Sequence, residues 1–140
     1  MKLSEYIDSQ DIILLDGAMG TQLAISGLEM GGHNNVAQPQ QVLAIHREYA
    51  DCGCDILITN TLTMNRIYIQ THQLDVPVED VNVEGARLAK SAAGSQKYVL
   101  GDIGSTGILL EPYGDLAEED AYNAFFQQAS ALAKGGVDGF

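Results

Sequence analysis

The segment Asp16-Gly17-Ala18-Met19-Gly20-Thr21 has the residue types of a turn that contacts a ligand. It follows the apolar run Ile12-Ile13-Leu14-Leu15, which predicts a short buried strand. Gly17 and Gly20 permit a tight turn and a close approach of the backbone to a ligand. Asp16 would lie at the carboxyl end of the strand, where parallel α/β sheets bind their ligands. The pattern favours a binding role, and its alternative is an aspartate that only caps the turn.

A second predicted strand, Asp55-Ile56-Leu57-Ile58-Thr59, also ends in polar residues, because Asn60 and Thr61 follow it directly. Side chains alternate along a strand, so these residues cannot all point to one side. We expect Thr59 and Thr61 to point toward the centre of the fold and Asn60 to lie behind them. A purely structural role in hydrogen bonding is the alternative for all three.

A third predicted strand, Tyr98-Val99-Leu100-Gly101-Asp102, leads into Ile103-Gly104-Ser105-Thr106-Gly107. Gly104 and Ser105 would border the same opening as the first two junctions, and Asp102 adds a carboxylate near it. A glycine-rich turn without a ligand is the alternative here. Three strands that each end in polar residues predict one site at one edge of a sheet.

Helices are predicted between these strands from apolar residues spaced at about 3.6 residues. They span approximately 4–10, 22–26, 39–52, 64–73, 81–92 and 118–134. Asp80 is expected to cap the fifth of them. The last helix has the clearest pattern, and its apolar face is expected to lie in the core. That face comprises Tyr122, Phe125, Phe126, Ala129, Leu132 and Ala133.

The predicted order is β-α-β-α-β-α-β, with a fourth strand beginning at Val137. Helices between strands impose parallel pairing and right-handed crossovers. The segments Ala50–Asp55 and Ala133–Asp138 are alike, since each passes from a helix end through glycine into a strand. The chain is therefore predicted to be an α/β protein with a parallel sheet. The pattern alone fits both an open doubly wound sheet and a closed (β/α)₈ barrel.

Length and charge exclude several classes of function. The chain has 140 residues, 46% of them hydrophobic, which is enough for one domain with a core. Its net charge is -12, from 7 basic and 19 acidic residues, which argues against nucleic acid and anionic membranes as partners. No apolar run approaches the roughly 20 residues that span a bilayer, and the first residues do not resemble a signal peptide. With only two cysteines, too close together for a disulfide framework, we expect a cytoplasmic protein.

Four segments in order carry a resemblance to a known family. The segment Asp16–Thr21 resembles the opening motif of the homocysteine S-methyltransferase family, which includes the homocysteine-binding module of cobalamin-dependent methionine synthase. The other three are similar to the family's following loop and long helix, its second strand, and its third strand and loop. They are Gly32–Asn35 with Pro39–Tyr49, Asp55–Thr61, and Gly101–Leu116. The resemblance covers about residues 10–140, and Asn34-Asn35 favours the corrinoid-linked branch.

The resemblance implies a parallel (β/α)₈ barrel of the TIM type, which needs about 250 residues. Residues 1–140 would then form the N-terminal half of one such barrel domain. It implies methyl transfer to the thiol of homocysteine, giving methionine, with a corrinoid or folate system as possible donor. The family holds zinc with three cysteine thiolates on later strands and contacts the substrate's amino group with an acidic residue after the fourth strand begins. Neither is present in this sequence, so we expect no metal ligands here.

The resemblance also implies which residues contact the substrate. Asp16 suits the ammonium group of homocysteine, and the turn amides of the following glycine-rich segment suit its carboxylate. The expected substrate-binding residues are Asp16, Gly17, Ala18, Met19, Gly20, Thr21, Thr59, Asn60, Thr61, Gly104 and Ser105. Asn65 is a further candidate.

The cysteine and histidine residues are weaker candidates. Cys52 and Cys54 lie between a helix end and a strand start, at the end of a barrel opposite its active face, which disfavours metal binding. His46 lies on the apolar side of its helix, which favours packing. His33 lies in the loop expected over the active face and could contact a ligand or partner. His72 is expected at the surface.

Three functional hypotheses remain open from the sequence. The first is the homocysteine S-methyltransferase just described, with homocysteine as its small-molecule substrate. The second is a non-catalytic fragment or a module that depends on a partner, because half a barrel exposes strand edges and could pair with a second copy. The third is a corrinoid-linked methyltransferase with another acceptor or donor, which would act with a corrinoid protein.

Overall fold

The computed structural model describes residues 1–140 as a small parallel sheet surrounded by seven helices. The helices and strands are α1 (Leu3–Ser9), α2 (Met19–Ile25), α3 (Asn34–Ala37), α4 (Pro39–Asp51), β1 (Ile56–Ile58), α5 (Arg66–Thr71), α6 (Val78–Ala93), β2 (Tyr98–Leu100) and α7 (Glu118–Gly135). None of these helices is both long enough and apolar enough to cross a membrane.

The sheet confirms the predicted parallel α/β arrangement. Strands β1 and β2 pair in parallel, with Leu57 opposite Val99. Leu15 forms a parallel bridge to Ile56, and Gly139 forms one to Leu100. Four chain segments therefore lie side by side in chain order, without the reversal of strand order that marks a doubly wound sheet. This is the order of strands in a (β/α)₈ barrel.

The first predicted strand differs from expectation, because it is neither a full strand nor buried. Only Leu15 forms a bridge, and Ile12, Leu14 and Leu15 are 76%, 57% and 50% exposed. The segment has a neighbour on one side only, since Asp55 N–H and Ile56 N–H both donate to the carbonyl of Leu14. An apolar strand is buried only where other segments cover it on both sides, and here only the segment at Ile56 pairs with it.

The core lies between the sheet and helices α4 and α6. Leu57 and Val99 are completely buried and pack with Ala89 and with Cys54. Small residues on α6 let it lie close to both strands. A second cluster joins α5 to α7 through Ile67 and neighbouring residues. The core therefore fixes the two central strands, and with them the position of their carboxyl ends.

Helix α7 is present where predicted, and Leu132 is buried and Phe125 half-buried as expected, but the prediction for the rest of its buried face was wrong. Tyr122 and Phe126 are 65% and 62% exposed, and their rings stack on each other at 6.0 Å. The buried residues are Ala121, Ala124, Gln128, Ala131 and Leu132. Compared with the prediction, the helix is rotated so that its alanines face α6. The alanines allow the two helices to pack closely, which two large aromatic rings would prevent. Ala133 is also exposed.

Helix α6 begins earlier than predicted, and Asp80 is not its cap. Pro77 occupies the N-cap, and Asp80 lies with Glu79 in the first turn, where negative charge favours the helix dipole. Helix α2 also begins earlier, at Met19, so the glycine-rich turn is partly helical.

The two similar segments of the sequence adopt the same local structure. Gly53 and Gly136 both have positive φ, of 98° and 95°, and each lies two residues before an aspartate, Asp55 or Asp138, at the start of a strand segment. Asp55 Oδ2 accepts a hydrogen bond from Leu14 N–H at 2.8 Å, and Asp138 Oδ2 accepts one from Val99 N–H at 2.8 Å. Each carboxylate thus ties the start of its strand to the preceding strand. The hydrogen bond from Leu14 N–H, with one from a tyrosine hydroxyl, lowers the pKa of Asp55.

Gly135 allows the contact between α7 and α6, and its substitution tests that contact. A Cβ atom at this position would lie 2.4 Å from the Cβ of Ala86 and 2.9 Å from the carbonyl oxygen of Val83. We expect Gly135→Ala to lower the free energy of unfolding by about 1–3 kcal/mol, measured by urea denaturation. Helix propensity alone predicts the opposite sign, a gain of roughly 0.5–1 kcal/mol. The control is Ser130→Ala on the exposed side of α7, which should not destabilise, and a stabilised Gly135→Ala would contradict the packing.

Candidate ligand-binding site

A cavity of about 530 Å³ lies at the carboxyl ends of the strands, where the sequence places the site. Its lining comes from the turn 16–20, the loop 30–32, the segment 58–63 and Asp102. The candidate residues that line it are Asp16, Gly17, Ala18, Met19, Gly20, Thr59, Asn60 and Thr61. Thr21, Gly104 and Ser105 lie outside this lining. The first two strand junctions therefore share one cavity, and the third contributes Asp102.

Asp16 has one oxygen held by the protein and one without a partner. Its Oδ2 accepts a hydrogen bond from the backbone N–H of Ile58 at 3.0 Å, while its buried Oδ1 has no hydrogen-bond partner. The pKa of Asp16 is raised to about 6, mainly by burial and to a smaller extent by the charge of Asp102, while the hydrogen bond from Ile58 N–H opposes the rise. A buried carboxylate oxygen without a donor is rare in folded proteins and favours a ligand that supplies one.

The glycine-rich turn is held by Tyr49 of α4. The hydroxyl of Tyr49 donates to the carbonyl of Ala18 at 3.0 Å, and a Cβ at Gly17 would lie 2.8 Å from that hydroxyl oxygen. Gly17 is therefore required by the close approach of the tyrosine. Ala18 is the N-cap of α2 and offers no side-chain cap, so the first N–H groups of the helix lack a side-chain acceptor. The exposed Thr21 donates its hydroxyl to Ala18 at 3.4 Å.

Thr59 and Thr61 point to the same side, as alternation predicts, and their hydroxyls contact each other and the backbone of Asp102. The two hydroxyl oxygens lie 2.6 Å apart. Thr61 donates to the carbonyl of Asp102 at 2.8 Å, and Thr59 accepts from the N–H of Asp102 at 2.9 Å. Both threonines are buried. These hydroxyls thus bind a neighbouring strand, while burial raises the pKa of the Asp102 carboxyl.

Asn60 is held from behind by Asn35, which carries part of the family resemblance but was given no role in the site. The side-chain amide of Asn35 donates to the carbonyl of Asn60 at 2.8 Å and to that of Val81 at 3.1 Å. Asn60 returns a bond to the Asn35 side chain and another to Gly31, each at 3.2 Å. A Cβ at Gly32 would lie 2.7 Å from the carbonyl oxygen of Asn60. The loop 30–32 reaches the cavity through these contacts.

Gln128 of α7 supports the site from the outer layer and was also missed. Its side-chain amide donates to the carbonyl of Thr61 at 2.7 Å and to Asn82 at 3.2 Å. Asn82 in turn donates to the carbonyls of Met64 and Val78. The sequence does contain a signal for this role, because Gln128 lies on the same face of the helix as the buried alanines Ala124 and Ala131. The spacing of apolar residues alone predicts that such a polar residue is exposed to solvent.

The remaining candidates near the third strand lie outside the lining of the first cavity. Gly104 N–H donates to the carbonyl of Leu62 at 2.7 Å. Ser105 lines a second cavity of about 560 Å³ with apolar residues of the loop 106–116. Asn65 is the N-cap of α5, accepting from Tyr68 N–H and donating to the carbonyl of Ser105 at 3.1 Å. These residues shape the loops next to the first cavity.

The histidines and cysteines do not join the cavity. His46 is fully buried, neither ring nitrogen has a hydrogen-bond partner, and burial lowers its pKa to about 4, so it is neutral at pH 7. His33 precedes α3, and the exposed His72 stacks on Tyr68. Cys52 is exposed and Cys54 buried. No three or more His, Cys, Asp or Glu side chains lie close enough to hold a metal ion.

Asn35 is predicted to be a main stabilising residue of the cavity wall. Replacing it with alanine leaves the carbonyls of Asn60 and Val81 without their donor. We expect Asn35→Ala to lower the free energy of unfolding by about 1–3 kcal/mol, measured by urea denaturation. Asn123→Ala, at an exposed position of α7, is the control and should change it by less than about 0.5 kcal/mol. Equal effects of the two substitutions would contradict this role.

The chain is similar to proteins of one family. The family model for homocysteine S-methyltransferase matches residues 13–140. Methionine synthase of Mycobacterium tuberculosis (strain ATCC 25618 / H37Rv) is 30% identical over 93% of this chain, and that of Mycobacterium leprae (strain TN) is 28% identical over the same share. In each case the match covers 12% of the relative, so this chain spans about an eighth of their length.

Solved structures support the same fold. The homocysteine methyltransferase MmuM from Escherichia coli, in its metallated form, matches 96% of this chain with a TM-score of 0.79 and 22% identity. Its apo form matches 97% with a TM-score of 0.66 and 26% identity. The matches cover 54% and 49% of those chains. With a family model that matches nearly its whole length, this chain belongs to the homocysteine S-methyltransferase family.

Proposed function

We propose that this chain forms part of an enzyme that transfers a methyl group to the thiol of homocysteine, giving methionine. In this proposal the chain supplies the loops that bind the amino-acid end of the substrate. The observation that carries it is the carboxylate of Asp16, a residue that lines the cavity at the strand ends and whose buried Oδ1 has no donor. Membership of the family and the similarity to methionine synthases support homocysteine as the substrate class.

The proposed contacts use the two chemical ends of an amino acid. The ammonium group of homocysteine donates to Asp16 Oδ1, which gives a charge-assisted hydrogen bond. The carboxylate accepts from the free N–H groups of the turn 17–21, since successive amides form an anion-binding concavity. The sulfur then lies toward the open side of the cavity. Thr59, Asn60 and Thr61 line the same cavity.

The thiol requires activation that this chain does not supply. A thiol with a pKa near 8.5 is mostly protonated at neutral pH. The family resemblance implies zinc held by three cysteine thiolates, and zinc would deprotonate the thiol. The residues of this chain do not fit that role, because no group of three ligating side chains is present. We therefore assign thiol activation, and contact with a corrinoid or folate donor, to further polypeptide.

We also propose that residues 1–140 correspond to the N-terminal half of a (β/α)₈ barrel domain. The four strand positions lie in chain order and are all parallel. The chain matches about half of the MmuM chain. Apolar side chains are exposed at both ends of this order, at Leu14 beside the first strand and at Phe140 beside the fourth. A second half of the barrel would cover both.

Substitution of Asp16 tests the proposed ammonium contact. We expect wild-type protein to bind homocysteine in isothermal titration calorimetry, and Asp16→Asn to weaken binding about tenfold or more, since a charge-assisted bond is lost. Because the pKa of Asp16 is raised to about 6, its charge is present above that pH. Wild-type affinity should therefore fall as the pH is lowered through about 6, and the Asp16→Asn variant should lose this dependence.

Two controls separate binding from folding. Asp51→Asn, at the exposed end of α4, should bind homocysteine like wild type. A raised pKa means that ionised Asp16 opposes folding: its favourable contribution is complete below its unfolded value of 3.8 and is lost as the pH rises through about 6. Asp16→Asn should thus melt no earlier than wild type at pH 7. Equal homocysteine affinity of wild type and Asp16→Asn would refute the contact, and tighter binding of a different methyl acceptor would favour the corrinoid-linked alternative.

A second candidate function is a module that is inactive without a partner. The exposed apolar residues Ile12 and Leu14 at one edge of the sheet and Phe140 at the other favour this candidate. We expect no methionine from homocysteine and a methyl donor when the purified 140-residue chain is assayed alone. Light scattering after size-exclusion chromatography should show self-association through these edges. Methionine formation by the chain alone, or a well-folded monomer, would count against this candidate.

A further inference from the structure

The hydroxyls of Thr59 and Thr61 have no proton to offer a ligand. The proton of Thr61 is donated to the carbonyl oxygen of Asp102. The hydroxyl oxygens of the two threonines are hydrogen-bonded at 2.6 Å, so the proton in that bond comes from Thr59. Thr59 accepts in turn from the N–H of Asp102. These three hydrogen bonds run from the N–H of Asp102 through the two hydroxyls to the carbonyl of Asp102. Both hydroxyl protons are therefore donated within the protein.

We propose that Thr59 and Thr61 are positioning residues that hold Asp102 at the cavity, so that the substrate's ammonium group meets two carboxylates, those of Asp16 and Asp102. This inference rests on the proposed function, because it names how the same site selects its ligand. Asp102 lies just beyond β2, where no ladder partner holds it, and the two hydroxyls replace that partner. Without them both backbone groups of Asp102 would lose their partners, and its position would depend only on Gly101 and Gly104, whose N–H groups bind the carbonyls of Gly139 and Leu62.

The two carboxylates belong to one electrostatic unit. Both line the same cavity, and the charge of Asp102 raises the pKa of Asp16 in addition to the larger effect of burial. The other titratable groups near Asp16 are the thiol of Cys54, whose pKa its charge raises, and the hydroxyl of Tyr49, which is in contact with the turn at Gly17. Lys97 acts on Cys54 and not on Asp16. A cationic ligand would therefore relieve a repulsion that the protein leaves unbalanced.

This arrangement predicts a specific ligand chemistry. A primary ammonium has three N–H donors, enough for Asp16 Oδ1 and for an oxygen of Asp102 at once. An N-acetylated or deaminated thiol lacks the charge and leaves both carboxylates without a counterion. The site should therefore discriminate homocysteine from 4-mercaptobutanoate, which carries the same thiol and carboxylate without the amino group.

The arrangement can be tested without any ligand by following the carboxyl carbons of labelled aspartate by NMR during a pH titration. We expect Asp102→Asn to lower the titration midpoint of Asp16, because one neighbouring negative charge is removed. Thr59→Val should lower it in the same direction, because Asp102 is released, whereas Thr59→Ser keeps the hydroxyl and should titrate like wild type. Thr71→Val, at the exposed end of α5, is the control.

Two outcomes would overturn the inference. One is an Asp16 midpoint that does not move in Asp102→Asn. The other is a Thr59→Val variant that is folded by circular dichroism and titrates like Thr59→Ser. If Thr59→Val does not fold, Thr61→Val, which removes the donor to the carbonyl of Asp102, replaces it as the test of positioning, and Asp102→Asn still tests whether the two carboxylates interact.

Binding measurements then test the specificity. We expect Asp102→Asn to weaken homocysteine binding about tenfold and to leave 4-mercaptobutanoate binding within about twofold of wild type. An equal loss for both ligands would indicate a structural role only and would refute the two-carboxylate site. If wild type binds no homocysteine, the proposed function fails, while the NMR titration still decides whether the threonines position Asp102.

Discussion

The cavity depends on how the backbone is satisfied where the strand ladder stops. The paired segment of β1 ends at Ile58 and that of β2 at Leu100, and beyond these residues the backbone groups need other partners. Side chains provide them. Asp16 accepts from Ile58 N–H, Thr59 and Thr61 bind the two backbone groups of Asp102, and the next carbonyls along are bound by amides. Those amides belong to Asn35 and Gln128, on two different helices.

This constraint explains why a polar site can be rigid. The side chains of Thr59, Asn60 and Thr61 each bind a backbone group, and a buried polar group without a partner would cost about 1–3 kcal/mol in the folded state. Asp16 is the exception, because only one of its oxygens is used. These polar groups therefore fix the geometry of the site, while Asp16 Oδ1 and the carboxyl group of Asp102 stay available to a ligand. A carboxylate is suited to this, since one oxygen can anchor the group while the other stays available.

Local patterns predicted much of the fold and part of the site. The order of strands and helices follows from apolar periodicity, and the turn 16–20, Thr59, Asn60 and Thr61 meet at one cavity because parallel strands end together. The buried face of α7 could not be predicted, since hydrophobicity favours Tyr122 and Phe126 whereas close packing selects the alanines. The exposure of Leu14 depends on the absence of a second neighbouring strand, which no local pattern encodes.

The residues that sequence reasoning missed share a physical reason. Asn82 and Gln128 are amides inside helices that periodicity treats as solvent-facing, and Asn35 lies in a segment that the sequence predicts as a loop. Their burial is stable only because a specific carbonyl from a distant segment lies within reach, and that is a property of tertiary structure. Gln128 makes the point most clearly. It is 67 positions from Thr61 in the chain, yet it holds the carbonyl of that residue at 2.7 Å.

The same contact links the small-residue face of α7 to the cavity. Because Gln128 lies between the buried Ala124 and Leu132, its reach to Thr61 requires the alanines to bring α7 close to the rest of the fold. A bulkier residue on that face would displace the amide as well as the helix. Thr61 would then lose one of the bonds that fix it, and Thr61 holds Asp102. Helix packing in the outer layer therefore sets the position of a carboxyl group at the site, although no atom of α7 lines the cavity.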